Sequence, residues 1–225
     1  MKNKRHYTMK NPLLILCISL STLLISCGKN DNLPLTINQT EVTLRYDGTF
    51  DFSIRNVSDV EWSSSDEFVG VVGSDGKFEA RHIGKTTITG KALGEFVTAQ
   101  VVVEPIVVEV VEPYIEFGKA LPDVKDFEKR QLLHEASNVL VYTEASDYTL
   151  GARYIFEDNL LTSARLVWND ARIEEAKIFY AERYEFFGSG NNVRHYTDRS
   201  NRMLISVTND SNQGFFASYS KNTSK

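Results

Sequence analysis

The sequence predicts an all-β sandwich followed by an α+β domain, the latter an antiparallel sheet with two helices. Between residues 35 and 104, short alternating apolar and polar segments are broken by turn residues, and no run has helical period. From residue 114 onward, two stretches with helical spacing stand among strand-like segments. A basic and then apolar N-terminus ends in Ser26-Cys27 and belongs to neither folded part. The expected divisions are an export signal at 1–26, a tether at 27–32, the sandwich at 33–104, a linker at 105–113 and the α+β domain at 114–225.

In the signal, Lys2, Lys4, Arg5 and Lys10 hold the N-terminus on the cytoplasmic side, and Pro12 to Ile25 supply the apolar run. That run is too short for a spanning helix of about 20 apolar residues. Cys17 follows the bulky Leu16, whereas Cys27 follows the small Ser26. Leu24-Ile25-Ser26-Cys27 resembles the lipobox of bacterial lipoproteins, which implies acylation at Cys27 and anchoring to a membrane. Translation from Met9 would give a shorter signal with Lys10 as its basic part. Several acyl chains hold almost permanently, since each buried methylene contributes about 0.8 kcal/mol.

Removing residues 1–26 leaves 199 residues and takes away four positive charges, so the net charge moves from −5 to about −9. Nucleic acid and anionic lipid surfaces are therefore unexpected partners, because both select clustered Lys and Arg. Cys17 and Cys27 are the two cysteines of the chain, one lying in the signal and one at the acylation position, so packing rather than a disulfide must stabilise the mature part.

Gly28 to Asn32 is polar and aperiodic, a short tether. Expected strands follow at Leu35–Ile37, Val42–Arg45, Phe50–Ile54, Val60–Ser63, Val69–Val72, Lys77–Arg81, Thr86–Lys91 and Phe96–Val103. Asp47-Gly48, Ser74-Asp75-Gly76 and Leu93-Gly94 supply residues that tolerate positive φ in tight turns. On the last strand Val97, Ala99, Val101 and Val103 share one apolar face.

Val60-Glu61-Trp62-Ser63-Ser64-Ser65, Val69-Gly70-Val71-Val72, Asp75-Gly76-Lys77-Phe78-Glu79-Ala80 and Gly84-Lys85-Thr86-Thr87-Ile88-Thr89 occur in that order. Together they resemble the group 2 bacterial immunoglobulin-like domain, over about 70 residues. Phe78 stands where that family more often has a smaller aliphatic residue. The resemblance implies an immunoglobulin-like sandwich of the kind found in surface adhesins, polysaccharide-processing enzymes and envelope lipoproteins, frequently as a spacer. Trp62 could then be a sugar-stacking platform or the core tryptophan, and burial of such residues in immunoglobulin-like strands favours the core.

Glu104 to Pro113 carries a proline at each end with β-branched residues between, which favours a stiff extended connector or a strand added to one sheet. A helix is expected from Asp123 to about Ala136, beginning just after Pro122, with Val124 and Phe127 on one side and Lys125, Asp126, Lys129 and Arg130 facing water. Strands are expected at Val139–Thr143, Tyr148–Phe156 and Leu160–Trp168, the last two joined by a hairpin turn at Glu157-Asp158-Asn159. A second helix is expected from the spacing of Ile173, Ala176, Tyr180, Tyr184 and Phe187, with Asn169 or Asp170 as its cap and Gly188 as its stop. Three further strands close the chain at Val193–Thr197, Met203–Thr208 and Phe215–Tyr219. Phe117-Gly118-Lys119-Ala120 and Val124-Lys125, leading a helix-then-hairpin pattern, vaguely resemble small envelope modules of the outer-membrane assembly lipoprotein and β-lactamase-inhibitor type, which favours protein binding over catalysis.

No residue set is assigned to catalysis, a cofactor or a metal. His134-Glu135 has Asn138 where a zinc-protease helix needs its second histidine, and His82, His134 and His195 lie far apart in sequence. Gly188-Ser189-Gly190 lacks the third glycine of a dinucleotide fingerprint and reads as a helix-exit loop. No serine has the Gly-x-Ser-x-Gly frame. Glu144 with Asp147, or Asp170 with Glu174, could be drawn as acid and base, but sequence does not set their separation. Tyr180, Tyr184, Phe186 and Phe187 read first as core; exposure of Phe186 or Tyr196 beside Trp168 would instead suggest a sugar or peptide surface. The expected function is a noncatalytic outer-membrane lipoprotein, at the cell surface or on the periplasmic face, presenting its C-terminal domain to a glycan or protein. A periplasmic assembly or inhibitory partner and an enzyme of unrecognised class are the alternatives.

Overall fold

The computed structural model describes residues 34–223, so the signal, Cys27 and the tether lie outside the described residues. Among the described residues, 35–223 belong to one compact unit. It is mostly β, with two short helices.

The first part contains β1 (Glu41–Arg45), β2 (Thr49–Asp51), β3 (Glu61–Ser64), β4 (Gly70–Val72), β5 (Lys77–Ala80), β6 (Gly84–Ala92) and β7 (Glu95–Glu104). They make two sheets, β1-β7-β6-β3 and β2-β5-β4, with β1 parallel to β7. Leu35–Ile37, expected as a strand, makes only a single bridge from Ile37 to Ile54. The core between the sheets is built by Phe52, Phe78, Ile88 and Val101, with Ala99 and Val103 inward on β7 as the alternation requires. Asp47, Leu93, Gly76 and Gly94 all have positive φ, at the turns where the sequence placed them.

The second part contains α1 (Leu121–Phe127), β8 (Gln131–Ala136), β9 (Val139–Thr143), β10 (Thr149–Glu157), β11 (Leu160–Trp168), a 3₁₀ turn (Asp170–Arg172), α2 (Ile173–Ala181), β12 (Glu185–Gly190), β13 (Val193–Thr197), β14 (Met203–Asp210) and β15 (Gly214–Lys221). The strands form one antiparallel sheet in the order β12-β13-β14-β15-β11-β10-β9-β8. One face is apolar, and both helices join its core through Val124, Ala176, Phe179 and Tyr180.

Helix is scarcer here than expected. The run 123–136 is helical only to Phe127, because Glu128 turns extended at φ −71 and ψ 129 and the chain enters β8, which returns as β9 through Ser137 and Asn138. The second helix stops at Ala181 rather than at Gly188, so Glu185–Gly190, with Phe187 and Gly188 in it, is an edge strand instead of a helix end and exit loop. Glu182, which caps the end of α2, is fully buried, and its carboxylate accepts hydrogen bonds from the backbone of Ile106 (2.6 Å) and Val107 (3.3 Å). The connector is thereby laid on the sheet's core, with Val107 and Val110 buried in it.

The core also encloses a polar chain. The Trp168 indole donates to the Tyr180 hydroxyl (3.0 Å), which lies 3.0 Å from that of Tyr219. Tyr219 (3.2 Å) and Tyr184 (2.6 Å) each reach Glu112 Oε1. With one proton per hydroxyl, every group is satisfied if Tyr180 donates to Tyr219 and Tyr219 to Glu112. Burial pushes the Glu112 carboxyl above its ordinary value, with the two tyrosines and Arg183 pulling the other way.

Where the sandwich meets this sheet, Ile83 N–H donates to Glu182 O (2.8 Å). His82 stacks on Phe68 and sets Nδ1 2.6 Å from Phe68 O and Nε2 3.2 Å from Tyr184 O. Arg199 donates to Asp66 (2.6 Å).

Candidate functional site

A solvent-open cleft of about 630 Å³ lies between the connector, the end of α1 and the β9–β10 loop. Val111, Phe127, Glu128, Lys129, Arg130, Gln131, Thr143, Glu144 and Ala145 line it. The end of α1 creates it: once Glu128 leaves helical backbone, its side chain and that of Arg130 turn inward instead of facing water.

Both side chains are almost wholly buried, Glu128 at 2% and Arg130 at 5% exposure. Arg130 Nη1 donates to both carboxylate oxygens of Glu128, at 2.9 and 2.8 Å, and Nη2 donates to Val111 O. Glu128 Oε1 also accepts from the backbone N–H of Lys129 (2.9 Å) and Arg130 (3.1 Å), and Oε2 accepts from Tyr154 OH (2.5 Å). Tyr154 OH in turn accepts from Tyr114 N–H (3.0 Å). Burial and the neighbouring Glu128 push the Tyr154 phenol far up, so it serves as a donor.

Arg130 Nε lies 3.1 Å from Glu144 Oε1, yet its N–H is not aligned with that oxygen and has no hydrogen-bond partner. That contact is coulombic. Glu144 Oε1 accepts from Thr149 Oγ1. Burial opposes the Arg130 charge, but Glu128 and Glu144 outweigh it. With Lys129 at the rim, two positive and two negative side chains line the cleft. Val111 and Phe127 give an exposed apolar lip, and the Phe127 ring packs 5.2 Å from that of Tyr114.

The sequence picked out Glu144 only as half of a pair with Asp147; Glu144 lines the cleft, whereas Asp147 does not. Asp170 accepts from Phe215 N–H (3.0 Å) and Glu174 pairs with Lys177 (2.6 Å), so that pair is divided between two structural tasks. Trp62 is half-buried, tilted against Phe52 and so close to Gly90 that a Cβ there would come within 2.7 Å of its ring, which fits a core role. Trp168 and Tyr196 are buried, and the exposed Phe186 packs on Tyr196 rather than beside Trp168. His134 sits on β8, not on a helix, and His195 contacts Ser206 (3.0 Å). Among the described residues no group of three or more His, Cys, Asp or Glu could hold a metal ion. Glu128 and Arg130 went unrecognised because a charged pair two residues apart beyond a short helix has no distinctive spacing.

No protein-family model and no curated protein matches this chain. Among solved structures, it is similar to domains 4–9 of the surface layer protein SbsC, with 15% identity and a TM-score of 0.29 over 85% of this chain and 27% of that one. Domains 5–6 of the S-layer protein SbsC give 15% identity and a TM-score of 0.27, over 85% of this chain and 84% of that one. The chain thus spans about a quarter of the first of these structures.

Proposed function

We propose that the protein is a noncatalytic envelope lipoprotein, acylated at Cys27, in which a group 2 bacterial immunoglobulin-like sandwich supports a sheet domain that binds a neutral glycan segment in the Arg130 cleft. The cleft itself carries this reading. Its ion cluster is buried, its charges are balanced, and an apolar lip stands beside polar groups, as in small-ligand sites. An added anion would meet Glu128 and Glu144, and an added cation would meet Arg130 and Lys129. A sugar avoids both, since hydroxyls can bond to the charged groups while its C–H face lies on Phe127. A protein partner is the second reading, favoured by the exposed Leu132 and Leu133 on β8 beside the cleft.

Titration of the purified protein with neutral envelope oligosaccharides tests the ligand. Phe127→Ala is expected to weaken binding about tenfold, or 1.4 kcal/mol, with only a small fall in melting temperature from the lost contact with Tyr114. Binding that ignores Phe127→Ala would put the ligand elsewhere, and binding of a protein but of no glycan would favour the second reading. Fatty-acid labelling of cells tests the anchor: label and membrane fractionation are expected to disappear in Cys27→Ser. Protease shaving of intact cells, with a periplasmic protein as control, separates the surface from the periplasmic face.

A further inference from the structure

The outer face of the eight-stranded sheet carries a feature with the opposite electrostatics. Arg153 on β10 and Arg165 on β11 are direct cross-strand partners, and their flanking residues Ala152, Tyr154, Ala164 and Leu166 are buried in the core. The two guanidinium groups therefore leave the sheet on the same, outer side. Like charges in that arrangement repel. The register continues from Arg165 to Ser218, from Ser218 to Ser206 and from Ser206 to His195. A polar row thus crosses five strands.

Arg153, Ile155, Ser163, Ala164, Arg165 and Ser218 line a small cavity of about 210 Å³. Neither arginine has a carboxylate within ion-pair distance among the described residues. Arg165 donates to Gln213 Oε1 (2.5 Å) and its guanidinium stacks over the Phe216 ring at 3.9 Å, which fixes its direction without neutralising it. Burial and then Arg153 hold the Arg165 guanidinium below its ordinary value, with Asp210 acting weakly the other way. The cleft arginine is flanked by two carboxylates; this pair is not.

We propose that Arg153 and Arg165, with the hydroxyls of Ser163 and Ser218, bind a single oxyanion: a phosphate, sulfate or carboxylate group. The cavity has room for one such group and a few waters of about 30 Å³ each, so a larger ligand would leave the rest of its mass outside it. Paired arginines are well suited to such groups because their planar donors match oxyanion geometry. The overall negative charge of the chain gives no long-range attraction, so recognition is local and salt-sensitive. The group could be a free inorganic ion or the acidic substituent of an envelope glycan.

The test follows melting of the purified protein in sodium sulfate against sodium chloride at matched ionic strength. A saturable, sulfate-specific rise is expected in the wild type. Arg153→Ala, at an exposed position, should melt no lower without sulfate and bind sulfate at least tenfold more weakly, while Arg153→Lys keeps part of the affinity. An equal rise in wild type and Arg153→Ala, or no saturable rise at all, would overturn the proposal. Competition by an oligogalacturonate would assign the site to an acidic glycan, whereas sulfate binding without competition would assign it to a free ion; both support the site. Because neither variant touches the Arg130 cleft, failure here leaves the Phe127→Ala result unchanged.

Discussion

Arg130 and Glu128 show how little of a site's electrostatics is encoded by spacing. Lys125, Asp126, Lys129 and Arg130 look alike as charges beside a helix, yet only Arg130 is enclosed, because the backbone turns at Glu128. Removing one partner of a buried pair leaves the other uncompensated. Arg130→Met is therefore expected to cost about 3–5 kcal/mol in urea unfolding, and Glu128→Met with Arg130→Met to cost less than the single change. Glu112 gives a prediction in pH. Its raised pKa means the folded state holds a proton that the unfolded state releases at about 4.3, so its stabilising contribution is complete in acid and is lost as pH rises through the folded value. Glu112→Gln keeps an acceptor for Tyr184 and Tyr219, and the fall in melting temperature between pH 4 and pH 8 should be smaller in the variant than in the wild type.

Among the elements, the β10–β11 hairpin was legible, whereas the β8–β9 and β12–β13 hairpins and the helix ends were not. Asp158 and Asn159 both have positive φ, so the turn chemistry that suggested the β10–β11 hairpin is the chemistry that forms it. For residues 131–136 and 185–190, short mixed segments fit either period, and pairing with the next strands, β9 and β13, across two-residue turns decides between them. Gly151 shows a constraint that sequence hides inside a strand: at φ +149, a Cβ would stand 2.1 Å from the Tyr142 carbonyl oxygen. Gly151→Ala should prise β9 from β10 beside the cleft. A loss well above 1 kcal/mol, with faster amide exchange along β9, is the expected result.

For the whole molecule, the sequence pattern did not anticipate that the two halves would share backbone hydrogen bonds. Ile83 with Glu182, His82 with Tyr184, and the connector with the Glu182 carboxylate all cross the division suggested by the change of pattern near residue 113. Calorimetry should therefore show one transition for residues 35–225, with calorimetric and van't Hoff enthalpies equal. His82→Ala, which loses the bridge from Phe68 to Tyr184, is expected to separate it into two.

The eight-stranded sheet ends in β8 and β12, each paired on one side only, and each is interrupted at a bulky exposed residue, Leu133 in one and Phe187 in the other. A strand arriving at either border meets a bend and a protruding side chain before it can form more than a few backbone bonds. The two bulges thus disfavour extension of this sheet at either border by a further strand.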